Sequence, residues 1–169
     1  HLHAQAPIGR LDWVGTSMGG LIGLAIAGQP QAGLSPVPVG RMVLNDVGPS
    51  LSWSALQRIG RYLGQPVCFA SEEQATAALW AISSAFGPHT PEQWRALSRP
   101  MLRPAPQGGW QLHYDPAIAV PFCAVTPEAV QAGEEVLWQL YDAMPARTLL
   151  LRGALSDLLS PEAAYAMSQ

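Results

Sequence analysis

Leu11-Asp12-Trp13-Val14-Gly15-Thr16-Ser17-Met18-Gly19-Gly20-Leu21 is the stretch that decides the fold. The apolar run Leu11 to Val14 reads as a short buried strand, and Leu21 to Ala27, built of small and aliphatic residues, reads as a helix. Between them stands a serine on a tight strand-to-helix turn. Such a turn holds its serine in a strained conformation and pushes the hydroxyl out above the sheet edge, the geometry of a nucleophile elbow. Gly15 and Gly19 flank it, at positions where a side chain is expected to collide with the reversing backbone. Gly19, Gly23 and Ala27 recur every four residues, which predicts a smooth stripe that lets the helix lie close to a sheet. Two glycines inside one helix are costly and imply a packing reason. The unpaired N–H groups of the helix start point at Ser17, and Met18 N–H is the natural first donor of an oxyanion hole. The alternative is a serine that merely caps the helix. A phosphate-binding loop does not fit, because no lysine and no second serine or threonine follows Gly20.

The rest of the composition narrows the class. With 169 residues, 49% hydrophobic and only 12% charged, the chain can bury the core of one ordinary domain and is no disordered tail. A formal net charge of −3 without any basic run gives no electrostatic footprint for nucleic acid or an anionic membrane. The apolar stretches are too short to span a bilayer. Cys68 and Cys123 stand far apart, in no CxxC or Cys/His cluster, so zinc and dithiol chemistry are unsupported and each is expected as a small buried hydrophobe. That usage fits a reducing compartment, the cytoplasm. No metal or organic cofactor is implied. The chain starts at His1 without a methionine and reads as a fragment, so the lack of a leader says nothing about location.

Three segments read as buried parallel strands: Leu11 to Val14, Arg41 to Asn45 and Thr148 to Arg152. In open parallel sheets the loops after the carboxyl ends of strands carry the ligand site, which would put Ser17, Asp46 and the loop after Arg152 on one rim. Helices are expected over Leu21 to Gly28 and, with Ser160 as cap and Pro161 in the first turn, over Pro161 to Ser168. The chain therefore divides into a core of residues 1–48, an insertion of residues 49–142 and a second core stretch of residues 143–169. Within the insertion, Ser71-Glu72-Glu73-Gln74 and Thr90-Pro91-Glu92-Gln93 both match a capping box. Leu51 to Leu63 is amphipathic, Ala75 to Phe86 stops at Gly87-Pro88, and Gly108-Gly109 followed by Trp110, Leu112 and Tyr114 fits a hairpin or an extended turn. A mostly helical insertion on this rim reads as a lid over a pocket for a small molecule, with most of its tryptophans (Trp53, Trp80, Trp94, Trp110, Trp138) filling its own core.

A serine needs a base and an acid behind it. Asp157 follows the apolar strand Leu149-Leu150-Leu151-Arg152 and the turn Gly153-Ala154-Leu155-Ser156, where a carboxylate can orient a histidine and stabilise its imidazolium. Asp46, in Asn45-Asp46-Val47-Gly48-Pro49, ends the preceding strand and is the alternative acid, or else a turn aspartate. Asp157 is preferred because its glycine-containing turn frees it to point inward. The four histidines are His1, His3, His89 and His113; none follows Asp157, so the base is expected beyond Gln169.

The elbow at Ser17, Met42-Val43-Leu44-Asn45-Asp46-Val47-Gly48-Pro49, His113-Tyr114-Asp115-Pro116 and Arg152-Gly153-Ala154-Leu155-Ser156-Asp157 together resemble bacterial serine alpha/beta-hydrolases with a helical lid. The resemblance covers most of the chain. It implies an α/β fold, here a partial alpha/beta-hydrolase fold of three parallel strands with flanking helices plus the lid. It also implies Ser17 as nucleophile, Asp157 as triad acid and Met18 as backbone oxyanion donor, in the family's order of serine, acid, histidine. Family members carry further strands before the elbow and a last strand before the histidine, and this sequence contains neither. Serine at position 17 disfavours the relatives that attack with a carboxylate. The implied activity of the parent is hydrolysis of a carboxylic ester or related activated carbonyl through an acyl-enzyme, the fragment alone being inactive. Carbon–carbon hydrolysis of a diketone-like substrate and a non-catalytic binding module on the same fold are the alternatives. Oligomeric state is left open. A three-stranded sheet with an apolar edge is expected to make the isolated chain unstable or prone to associate.

Overall fold

The structure, a computed structural model, describes residues 2–35, 37–123 and 125–169, so that His1 lies outside the described residues. A short helix α1 (Leu2–Gln5) precedes strand β1 (Leu11–Thr16), helix α2 (Met18–Ala27) and strand β2 (Val39–Asn45). Helix α3 (Trp53–Gly60), the two-residue strand β3 (Cys68–Phe69), α4 (Glu72–Ser83) and α5 (Pro91–Ser98) follow. Strands β4 (Leu102–Pro104) and β5 (Trp110–Leu112), helices α6 (Val120–Cys123) and α7 (Pro127–Ala143), strand β6 (Arg147–Leu151) and helix α8 (Pro161–Ala166) complete the chain.

The chain forms two compact units, one of residues 1–57 with 125–169 and one of residues 58–124. In the first, β1, β2 and β6 make a parallel sheet in the order β1-β2-β6. The three strands expected from sequence are therefore these three, each one or two residues longer or shifted by one. The pairing of Leu11 with Val39 and of Asp12 with Arg41 leaves Gly40 as an extra residue in β2. This bulge resets the alternation, so Val39 as well as Met42 and Leu44 face the core.

One face of the sheet carries the core. Leu24, Ala27, Val39, Met42, Leu44, Val47, Leu159, Ala163 and Met167 are buried together, with Trp13, Trp138, Tyr141 and Leu150 packed against them. Close approach of α2 to the sheet has a specific cause: a Cβ on Gly23 would lie 2.6 Å from the Trp13 indole nitrogen, which instead donates to Gly19 O at 2.9 Å. A Cβ on Gly28 would run into the Leu140 backbone, so α7 also lies hard against the end of α2. The Tyr141 hydroxyl on α7 donates to Met167 O at 2.7 Å, and burial, followed by the charge of Asp142, pushes its pKa up. Helix α7 and Trp138, which the sequence reading put in the insertion, thus belong with the sheet because their apolar face is spent on α2 and α8.

The opposite face is open. In-register neighbours Val14, Val43 and Leu149 form one row across it, with Val14 75% and Leu149 56% exposed.

In the second unit, Ala75, Leu79, Trp94 and Leu102 are buried, with Phe69, Trp80, Trp110 and Leu112 packed around them. The Trp94 indole donates to Thr76 O at 2.9 Å, joining α5 to α4. Thr90 forms both halves of its capping box with Gln93. Ser71 forms only one half: its side chain accepts from Gln74 N, while the Gln74 side chain takes the N–H of Ala70 instead of that of Ser71. The Gly108-Gly109 turn, with φ of 94° and 77°, joins β4 and β5 as an antiparallel hairpin, and β3 adds a third strand in the order β3-β5-β4. Two-residue β3 had no periodicity to reveal it. Cys68 lies on it and is exposed, a correction to its expected burial, since an edge strand of two residues covers nothing. The side chain of Cys123 lies outside the described residues.

Candidate active site

Strand β1 delivers its last residue, Thr16, to the carboxyl rim of the sheet, and Ser17 follows at φ 50°, ψ −125°, a conformation that non-glycine residues rarely adopt. Helix α2 starts at once: the N–H groups of Gly20 and Leu21 donate to Ser17 O at 2.8 and 3.3 Å. The Ser17 side chain makes no capping hydrogen bond. The capping reading of this serine therefore fails, and its exposed hydroxyl is left to the rim.

The glycines that permit the turn are Gly15 and Gly20. A Cβ on Gly15 would lie 2.5 Å from both Cα and N of Gly20, and one on Gly20 would strike the Val47 side chain and stand 3.2 Å from Gly15 O. A Cβ on Gly19 would meet nothing within 4 Å, which corrects the expectation that Gly19 had to be small. The chain crosses itself between positions 15 and 20; position 19 already points away from that crossing.

The strand register lines up the other candidates. Thr16 pairs with Asn45 and Asn45 with Leu151, so Ser17, Asp46 and Arg152 follow in one row at the carboxyl ends of neighbouring strands. The ladder continues one step beyond the strands, with Ser17 N donating to Asn45 O at 3.3 Å and Asp46 N to Leu151 O at 2.8 Å. The Asn45 side chain donates to Thr16 Oγ1 at 3.1 Å, tying the two strand ends beneath Ser17. Two inter-strand spacings separate β1 from β6, about 10 Å, so a group between the serine and an acid on the β6 loop has the room of one side chain.

Asp46 is, with Ser17, one of two non-glycine residues with positive φ among those described, at 55°. Its Oδ1 accepts from Gly153 N at 2.9 Å and its Oδ2 from Ser156 Oγ at 2.8 Å. From the other side, Arg152 Nε donates to Leu159 O at 2.8 Å and its Nη2 to Ser156 O at 3.4 Å. Leu159 is fully buried and anchors the far end of the loop. Asp157 is carried on this braced loop, exposed, immediately after Ser156. The bracing by Asn45, Arg152 and Ser156 was not assigned from sequence; its partners lie up to 110 residues apart and leave no local pattern.

Among the described histidines, His3 Nδ1 accepts from Ile8 N at 2.9 Å. His89 lies in the other unit, its Nδ1 2.9 Å from Gly87 O and its ring against Trp80 and Trp94. His113 N donates to Met101 O. Among the described residues no helix is long and apolar enough to cross a membrane.

No protein-family model matches the chain. A curated relative, a 3-hydroxybutyrate-oligomer hydrolase from Cupriavidus necator, is 51% identical over 165 residues, covering 95% of this chain and 54% of its own. Among solved structures, an alpha/beta hydrolase from Novosphingobium aromaticivorans superposes with a TM-score of 0.79 at 33% identity, over 99% of this chain and 56% of that one. An esterase from Mycobacterium tuberculosis does so with a TM-score of 0.64 at 25% identity, over 99% of this chain and 50% of that one. The chain thus spans about half the length of the proteins it matches. With a strained serine between a parallel strand and a close-packed helix, and with these likenesses over nearly its whole length, the chain has a partial alpha/beta-hydrolase fold and is similar to hydrolases of that fold.

Proposed function

We propose that the whole protein is a serine hydrolase of carboxylic esters that works through an acyl-enzyme on Ser17. The observation that carries this reading is the backbone of Ser17, held at φ 50° with a hydroxyl that caps nothing. Strain of this kind costs about 1–3 kcal/mol and persists only where the surrounding structure enforces it. Gly15, Gly20 and Trp13 do the enforcing here.

In this reading Ser17 Oγ attacks the ester carbonyl carbon while its proton passes to a histidine base, supplied by a part of the whole protein outside these 169 residues. The carbonyl oxygen becomes an oxyanion that takes a hydrogen bond from Met18 N–H, which as the first N–H of α2 has no acceptor within the helix. Collapse breaks the bond to the alcohol, whose oxygen takes the proton back from the imidazolium. Water then attacks the acyl-serine by the same route and releases the acid. Asp157 holds the imidazole and balances its charge. The unit of residues 58–124, inserted in the chain between β2 and β6, serves as a lid.

The 51% identity to a 3-hydroxybutyrate-oligomer hydrolase supports a linear oligoester of a short 3-hydroxy acid as substrate class. The test is release of monomer from a 3-hydroxybutyrate dimer or trimer by the full-length protein, alongside simple activated esters. Turnover of the activated esters without any cleavage of the oligomers would remove the substrate class and leave the mechanism.

A further inference from the structure

We infer that Asp46 is a positioning residue that sets the place of Asp157. The inference rests on the reading of Ser17 and Asp157 as nucleophile and acid, and it assigns to Asp46 a task different from serving as the acid itself.

Both carboxylate oxygens of Asp46 are committed to the loop after β6, Oδ1 to Gly153 N and Oδ2 to Ser156 Oγ. Its own N–H donates to Leu151 O, so main chain and side chain of one residue grip the strand end and the loop that leaves it. The left-handed φ of 55° makes this double grip possible, because it turns the side chain of the residue after β2 back across the rim toward β6. Aspartate is among the few non-glycine residues that tolerate that region.

The clamp converges on Ser156, whose every polar group is used. Its N–H donates to Gly153 O at 3.0 Å, and its carbonyl accepts from Arg152. Its hydroxyl donates to Asp46 while accepting from Leu158 N and Leu159 N at 3.2 and 3.1 Å. Asp157 is the next residue, so its Cα is fixed by a neighbour with no freedom left. A carboxylate that orients a base must be held to a fraction of an ångström, and a misplacement of about 1 Å can cost on the order of 100-fold in rate.

The experiment compares Asp46→Ala, Asp46→Asn, Ser156→Ala, Asp157→Asn and Ser17→Ala in the full-length protein. It reads kcat and KM on an activated ester, normalised to sites labelled by a fluorophosphonate. Asp46→Ala is expected to lower kcat by on the order of 100-fold with KM within about twofold. Asp46→Asn, which keeps an acceptor for Gly153 N, is expected to recover part of that loss. Asp157→Asn is expected to cost more than either, about 10⁴-fold. Wild-type kcat per labelled site in Asp46→Ala, with Ser17→Ala and Asp157→Asn inactive, overturns this inference alone. Asp46→Asn as inactive as Asp157→Asn also overturns it, by making Asp46 the acid. If Asp46→Ala does not fold, Ser156→Ala decides: a drop in kcat at constant KM supports the clamp, and unchanged kcat overturns it. Full turnover by Ser17→Ala removes the mechanism and this inference with it.

Discussion

Ser156 Oγ donates to Asp46 Oδ2 at 2.8 Å across 110 residues of sequence, joining the loops that leave β2 and β6. The same hydroxyl accepts from Leu158 N and Leu159 N, so its removal strips three partners at once. We predict that Ser156→Ala costs about 1–3 kcal/mol of unfolding free energy, measured by denaturant titration. Amide exchange at Leu158 and Leu159 should accelerate in the variant; unchanged exchange there would show that the loop does not depend on this clamp.

The two glycines that border the elbow from either side of its crossing predict unequal mutational costs. Gly15→Ala and Gly20→Ala force a methyl group into backbone or into Val47, and each is predicted to destabilise by about 1–3 kcal/mol or more. Gly19→Ala meets open space inside a helix and is predicted to stabilise, by up to about 1 kcal/mol. Thermal melts of the three variants check the order; a destabilising Gly19→Ala would contradict the packing described.

What the sequence made legible was whatever is local. The strands around Leu11, Arg41 and Thr148, the elbow serine, the Thr90 cap and the Gly108-Gly109 turn are each written in a few adjacent residues. The assignment of α7 to the sheet was not, because its contact with α2 depends on Gly28 meeting Leu140, more than a hundred residues on. The same holds for the site: Ser17, Asp46 and Asp157 each announce themselves at a strand end, whereas the use of Asp46 to brace Ser156 appears only once the strands are in register. The error over Gly19 has the same root, since only the three-dimensional path shows that position 20, not 19, touches position 15.

Ser98 is fully buried at the end of α5, and its hydroxyl has no partner among the described residues. Leaving a buried hydroxyl unpaired costs about 1–3 kcal/mol, so Ser98→Ala is predicted to leave stability unchanged or raise it. A lower melting temperature would mean that the hydroxyl finds a partner in solution.

Acid sensitivity should come partly from helix starts. Glu128 in α7 and Glu162 in α8 both have carboxyl pKa values lowered from 4.5, chiefly by their own backbone N–H groups and next by the capping hydroxyls of Thr126 and Ser160. The folded chain thus favours the carboxylates, so the unfolded chain binds the protons first as pH falls. Their stabilisation is present above the ordinary glutamate range and is lost as pH falls through 4.5 and below it. The melting temperature is predicted to fall over that window, and to fall less steeply in Glu128→Gln/Glu162→Gln.

Parallel sheets are ordinarily covered on both faces, and the row Val14, Val43, Leu149 is not covered here. The isolated 169-residue chain is predicted to self-associate, and Val14→Thr/Leu149→Thr to reduce association in sedimentation velocity. A monomer at all concentrations, with a sharp melt independent of concentration, would contradict this.

The central claim, that Ser17 is the nucleophile, is tested most directly by mass spectrometry of the full-length protein after treatment with a fluorophosphonate and peptide digestion. A single adduct on Ser17, abolished together with ester turnover in Ser17→Ala, is the predicted result. Wild-type turnover in Ser17→Ala, or an adduct on another serine that tracks activity, would contradict it.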